Sequence, residues 1–510
     1  APSACDSGCN TLTPRVYWDG IQMNLESLLR GRLERRPTEV IDRTTPTKFH
    51  LDGRLIPGLM GDTVASALHA AGVTTLSRSF KYHRRRGLFC CSGSCPNCLM
   101  TVDGIPNQRV CTMDASDGLK ASRQNAWPST ERDVLSIIEK FGAWLPVGFY
   151  YKSMVRPRFL WQLAEPVIRR FSGLGAIDRE AGRNTRDQQH EYAHSDVVIV
   201  GAGASGMTAA LEAASAGAMV TILDEHPFLG GRLRTRALPI ESIPVVNDEP
   251  GYLVVKRLAE QVMADSRIKV ELSARVFGFY EGNLLVATTP ERLLHVRCSR
   301  TIISTGATGA PVTFAGNDLP GVMLGEAALR LANLYAVAPG DRVVVMTLDP
   351  NGYSTARELA SAGVNVVAVL DASIGSASEI VSREVPVMRG RVVRLARGRQ
   401  RVEAIEIADI TEFGGSRETI KCDTLVVEGP PNPELWLADQ GGASVKFEPS
   451  LGHAVAGDLP QDMFVIGNAT GERSHAERLA YARDAGQAAA RGSSGRPSVV
   501  KTDRPAMLPV

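Results

Sequence analysis

Between residues 90 and 111 the chain runs Cys90-x4-Cys95-x2-Cys98-x12-Cys111, and this spacing narrows its chemistry more than any other feature. Three thiols in one loop, with a fourth returned from beyond the next strand, is the plant-type arrangement for a 2Fe–2S cluster. Leu99-Met-Thr-Val-Asp-Gly104 supplies the strand and turn that bring the fourth ligand back. The small residues Ser92, Gly93 and Ser94 leave backbone N–H groups free to point at sulfide. Two readings stand beside it: a four-cysteine zinc site, which uses the same thiolates, and structural cysteines without metal. Cys91 is the spare, either a substitute for Cys90 or idle. The remaining cysteines (Cys5, Cys9, Cys298 and Cys422) show no such pattern. A cluster of this kind in a long chain without a visible secretory leader points to a metal group rather than a disulfide scaffold.

The chain has 510 residues, enough for three or four domains. Apolar residues make up 44% and charged residues 22%, which excludes a disordered or collagen-like chain. A net charge of +2 gives no case for nucleic acid. No apolar run is long enough for a membrane span, and neither a Sec nor a twin-Arg leader is visible. The expectation is a soluble, cytoplasmic protein.

A second constraint begins at Val197-Val198-Ile199-Val200, a buried parallel strand by its β-branched content. The turn Gly201-Ala-Gly203-Ala204-Ser205-Gly206 follows, then a helical run over Met207–Ala216 and a strand over Met219–Leu223 closed by Asp224. In that context the glycines form a dinucleotide fingerprint. Gly201 permits the tight turn, Gly203 lets the backbone approach a pyrophosphate, and Gly206 lets helix and strand pack closely. The anion would sit at the helix N-terminus, over the backbone of Ala204 and Ser205. Asp224 or Glu225 would accept from ribose hydroxyls, and Gly230-Gly231-Arg232 forms a second close-approach loop. Thr305-Gly306 after a strand, and Gly467-Asn468 before the last helical run, complete the candidate site. Together these segments resemble the two-dinucleotide-binding-domain flavoproteins, which usually carry Asp where this chain has Asn468. That departure leaves FAD and NAD both open.

A second strand–turn–helix–strand unit spans Val343–Thr347, Ser354–Ala362 and Val364–Leu370. Its turn, Thr347-Leu-Asp349-Pro350-Asn-Gly352, keeps one glycine of three, so it is expected to hold no NAD(P)H tightly. Two further segments have a bland and a functional reading each. The basic run Arg78–Arg86 is either a solvated face or a grip on a flavin phosphate or an acidic partner. The aromatics between Phe141 and Phe171 either cover a core or face a partner.

Three strings carry a family resemblance: Arg78-Ser-Phe-Lys-Tyr-His83-Arg84 with Gly87, Pro146-Val-Gly-Phe-Tyr-Tyr-Lys152, and Asn317-Asp-Leu-Pro-Gly-Val-Met323. They resemble the alpha subunit of heterotetrameric sarcosine oxidase from about Arg43 to Ala490. The retained cysteines look more like the ferredoxin-like parts of hydrogen cyanide synthase, opine oxidases and hydroxyproline dehydrogenases. The resemblance implies an α/β, Rossmann-like two-dinucleotide-binding-domain flavoprotein preceded by a β-grasp 2Fe–2S ferredoxin-like domain. It implies a complex in which a flavoprotein beta subunit oxidises the C–N bond of an amine or amino acid. Further implications are an FMN at the interface between the two chains and a small third one. The end near 510 leads to the expectation that folate-coupled chemistry is missing. The expected organisation is an irregular extension (1–45), the cluster domain (46–130) and an aromatic-rich connector (131–194). An FAD-binding domain (195–325 and 425–492) follows, interrupted by a degraded NAD(P)-type domain (326–424), with a tail (493–510). Self-contained NAD(P)H-dependent reductase and nucleotide-binding scaffold are the competing readings.

Overall fold

The computed structural model describes residues 15–18, 21–24, 29, 31–144, 158–171, 175, 189–239, 249–349, 351–372, 385–411, 417–471 and 474–491. Cys5, Cys9, the Pro146–Lys152 string, residues 178–188, Pro350 and the tail 493–510 lie outside them.

Around the cysteines a five-stranded mixed sheet has the order Arg54–Met60, Asp42–Leu51, Lys120–Arg123, Leu99–Val102, Ile105–Arg109. The helix Val64–Ala70 begins with a capping box, in which Thr63 Oγ1 accepts from Ser66 N–H and Ser66 Oγ accepts from Thr63 N–H. The Leu99–Val102 strand and its turn at Asp103-Gly104 carry Cys111 back to the loop, as the spacing requires.

The second layer system is a sheet of seven strands. Val197–Val200 pairs in parallel with Val220–Leu223 on one side and Arg300–Ile303 on the other, and Met463–Val465 extends it beyond the latter. The central strand starts earlier than its apolar core suggests, at Gln189, because residues 189–195 run alongside Arg292–Cys298. Half of that stretch is exposed on one face, so its alternation reads as a polar linker. The third sheet is all parallel: Val322–Leu324, Thr424–Glu428, Val343–Thr347, Val366–Asp371 and Val387–Arg389. Its inner strands Val343–Thr347, Val366–Asp371 and Thr424–Glu428 are almost wholly buried, as a sheet covered on both faces demands.

Within the expected irregular extension, eight described residues are strand. Arg15–Trp18 and Ile21–Asn24 pair as an antiparallel hairpin. Residues 32–40 strap the cluster domain to the third sheet system: Arg32 forms a buried ion pair with Asp62 at 2.6 Å and donates to Tyr335 O. Leu33 N–H and Val40 N–H reach Ala336 O and Leu334 O. The cluster domain and the second nucleotide-type domain therefore share one hydrophobic core, in which Phe49, Leu68 and Met100 pack with Leu331, Val345 and Tyr353. No helix among the described residues is long and apolar enough to cross a membrane.

Candidate functional site

The glycine turn forms an open cradle. Gly201 has φ +105, and a Cβ there would lie 2.2 Å from Ser304 O; one at Gly206 would lie 2.0 Å from Gly201 O. These two glycines permit close packing of turn, helix and neighbouring strand. At Gly203 nothing lies within 4 Å of the Cβ position. Gly203 also caps the helix Ala204–Ser215 without a side chain, and the first intrahelical bond is Met207 N–H to Gly203 O. The N–H groups of Ala204, Ser205 and Gly206 are left at the open helix end, facing space that a phosphate would fill.

The other expected segments converge on this turn. Gly230 N–H donates to Ala202 O, and Gly231 approaches Gly203 so closely that a Cβ would lie 3.0 Å from its Cα. Gly467 (φ +69) faces Ser205 and Ser304, while Thr305 Oγ1 donates to Glu434 O beside Gly306. Asn468 lies in the short turn Gly467–Thr470 against the same helix end. Asp224 is buried: its Oδ2 accepts from Ala202 N–H at 2.6 Å and its Oδ1 from His226 N–H at 2.8 Å. Burial pushes its carboxyl up, but the His226 and Ala202 hydrogen bonds outweigh that and hold it below the usual range. Glu225 is exposed and paired with Arg275 at 3.0 Å. Arg232 turns away from the cradle toward Glu326 (3.3 Å) and Glu428 (3.7 Å).

The structure brings the four expected cysteines into one neighbourhood. Cys90, Cys98 and Cys111 are buried and Cys95 is half-buried. Their thiols contact one another in pairs: Cys90 with Cys95, Cys98 with Cys111, and Cys90 with Cys111. Donation from Cys111, and from Cys95 for Cys90, holds the Cys90 and Cys98 thiols low, and the donors Cys95 and Cys111 are raised in turn. Ser92 N–H donates to Cys90 Sγ at 3.5 Å, the backbone donor that the small residues allow. Among the described residues no three His, Cys, Asp or Glu side chains gather at the distances of a single ion. A two-iron cluster asks only for two thiolates on each iron, so pairs suffice. Cys91 is different: it has a positive φ of +49, and burial raises its thiol without a hydrogen bond from another cysteine among the causes.

The basic run divides between buried and exposed side chains. Arg78 is buried, 3.6 Å from Asp133, and donates to Thr130 O and His83 O; His83 Nδ1 lies 2.8 Å from Asp133. Arg84 pairs with Glu139 and Asp318, and Arg86 donates to Asn97. Arg78 and His83 are therefore buried structural groups, whereas Arg84 is exposed and keeps its acids at the surface.

What sequence reasoning missed is the wall between the two sites. Leu324 N–H donates to Phe89 O at 2.9 Å, fixing the cysteine loop on the strand that leads into Glu326 and Arg330. Nothing in spacing marks these residues, because Arg232 and His226, their partners across the wall, lie 94 and 104 positions away.

Residues 44–126 match the family described as 2Fe-2S iron-sulfur cluster binding domain, and residues 196–293 the family described as FAD dependent oxidoreductase. The sarcosine oxidase alpha chain of Rhizobium meliloti (strain 1021) is 35% identical over 426 residues, 80% of this chain and 42% of that protein. An opine oxidase subunit of Rhizobium meliloti is 33% identical over 203 residues, 38% of each chain. The chain thus spans less than half the length of these relatives. The crystal structure of L-proline dehydrogenase from P. horikoshii shares the fold, with a TM-score of 0.62 at 20% identity, covering 89% of this chain and 75% of that one. The chain is thus homologous to sarcosine oxidase alpha chains and to opine oxidase and hydrogen cyanide synthase subunits, and carries an N-terminal 2Fe–2S cluster binding domain followed by an FAD dependent oxidoreductase domain.

Proposed function

We propose that this chain is the electron-transfer subunit of a multi-subunit flavin and iron–sulfur dehydrogenase or oxidase. The complex would oxidise the C–N bond of a secondary amine or amino acid of the sarcosine, proline, hydroxyproline, glycine or opine type to an imine. That step would take place on a partner flavoprotein, with an FMN at the interface of the two. When bound, the cluster and FAD supply one- and two-electron redox capacity. Cys90, Cys95, Cys98 and Cys111 would hold the first, and Gly201–Gly206, Asp224, Gly230–Gly231, Thr305–Gly306 and Gly467–Asn468 the second.

The observation that carries this reading is the contrast at the second nucleotide-type domain. Asp349 stands at the turn position that Gly203 occupies in the first domain. Its carboxylate accepts from Asn351 N–H at 2.7 Å, the opening residue of the helix Asn351–Ser361. Glu428, buried at the end of the adjacent strand, adds a second acid. The helix end that would bind a nicotinamide dinucleotide's phosphates already has its own anion. That disfavours the self-contained NAD(P)H reductase and leaves electrons to arrive from a partner. The test is anaerobic mixing of the complex, purified with its neighbouring subunits, with NADH and separately with a panel of secondary amines. Bleaching by an amine and not by NADH is expected; rapid bleaching of the isolated chain by NADH would overturn the proposal.

A further inference from the structure

Arg330 opens a five-residue π-helical turn, Arg330–Leu334, directly after the helix Gly325–Leu329. Such turns are rare and concentrate at functional positions. Its side chain is only 9% exposed, yet its Nε has no hydrogen-bond acceptor and meets Glu326 Oε1 at 3.4 Å. Its Nη1 lies 3.3 Å from His226 Nε2. A guanidinium can only donate, so Nε2 accepts and the imidazole proton sits on Nδ1, 3.1 Å from Asp224 Oδ1. The helix and π turn that carry Arg330 also pack on the cysteine loop. Ala327 and Leu331, which flank it on the helix and the π turn, share a core with Cys90, Cys91, Cys98 and Cys111. The strand leading into that helix is bonded to Phe89. Cys91 and Cys111 are close enough for their charge to act on Arg330. A fixed buried cation therefore stands between the loop that would hold the cluster and the acid that closes the dinucleotide strand.

We propose that Arg330 is a positioning residue for electron transfer: its buried charge favours the reduced form of the cluster held by Cys90, Cys95, Cys98 and Cys111, and Glu326 moderates that charge. This rests on the reading of the four cysteines as cluster ligands. Reduction adds one electron and one negative charge to the cluster, which a nearby cation stabilises. In an interior of effective dielectric about 20, one charge at roughly 10 Å changes such an equilibrium by about tenfold.

The experiment is a redox titration followed by electron paramagnetic resonance, made on the holoprotein and on Arg330→Gln, Arg330→Lys and Glu326→Gln. In Arg330→Gln the ratio of reduced to oxidised cluster at a fixed potential should fall about tenfold, a midpoint lower by about 59 mV for a one-electron couple. Arg330→Lys should recover most of it, and Glu326→Gln should move the midpoint the opposite way, with flavin content unchanged in each. A merely structural role would not shift the potential in opposite directions. A wild-type cluster signal with an unmoved midpoint in Arg330→Gln overturns the role of Arg330 alone. Absence of any cluster signal in the wild type overturns the cluster reading beneath it. If Arg330→Gln does not accumulate, Glu326→Gln decides: a midpoint that stays or falls refutes the proposal.

Discussion

The two nucleotide-type domains repeat one strand–turn–helix plan, and their turns share one glycine of three. At the last turn position both keep glycine for the same reason. A Cβ at Gly206 would strike Gly201 O at 2.0 Å, and one at Gly352 would strike Thr347 Cβ at 2.2 Å. At the middle position the first domain has Gly203 with empty space beside it, while the second has a buried Asp349 bonded to its own helix end. Of the two packing glycines only the last survives, since Thr347 stands where the first domain has Gly201, and the glycine beside open space is replaced by an acid. Fold and binding are separable within six residues.

The largest expected effect comes from transplanting that difference. Gly203→Asp should fold, since the site beside Gly203 is open, but place a carboxylate where a pyrophosphate would sit. Retained flavin should drop by about a hundredfold or more, the scale of an unpaired buried like charge. Flavin released on denaturation measures it; a normal yield of bound flavin would break the comparison. Next, Gly206→Ala and Gly352→Ala should each cost about 2–4 kcal/mol in denaturant unfolding, because both force backbone or a β-branched side chain to move. A large loss in one domain and none in the other would show that the last glycine does not share a role.

Glu428 gives a pH signature. Burial, with Asp349 opposing and Arg232 assisting ionisation, pushes its carboxyl up from an ordinary 4.5 to about 7. The folded state then holds a proton that the unfolded chain releases, so stability should fall as pH rises from about 4.5 to 7, by about 3 kcal/mol. Glu428→Gln should flatten that slope and raise Tm at pH 8. A Tm lowered at pH 8 would mean that the Arg232 ion pair outweighs the cost of burial. The smallest effect is expected of Cys91→Ala, which should leave the iron content unchanged, whereas Cys98→Ala or Cys111→Ala should abolish it.

Local features were legible in the sequence. The cysteine spacing and the glycine turn are each contained in about twenty residues, and strand, turn and helix follow where the pattern puts them. The strand over residues 189–195 was hidden because its polar alternation resembles a linker until Arg292–Cys298 pairs with it. The strap at Arg32–Val40 has no period of its own and takes its conformation from Leu334 and Ala336, some three hundred residues away. The burial of Arg78 within the basic run was not legible because its acid, Asp133, is distant in sequence. The roles of Arg232 and Arg330 depend on Glu326, and no local pattern announces such a convergence.

The central claim is that one chain carries a two-iron cluster beside a flavin cradle. Metal analysis combined with electron paramagnetic resonance of the dithionite-reduced protein tests it most directly. Two irons per chain, with a signal integrating to about one spin, are the predicted result. Zinc at one per chain, with no iron and no signal, would contradict it.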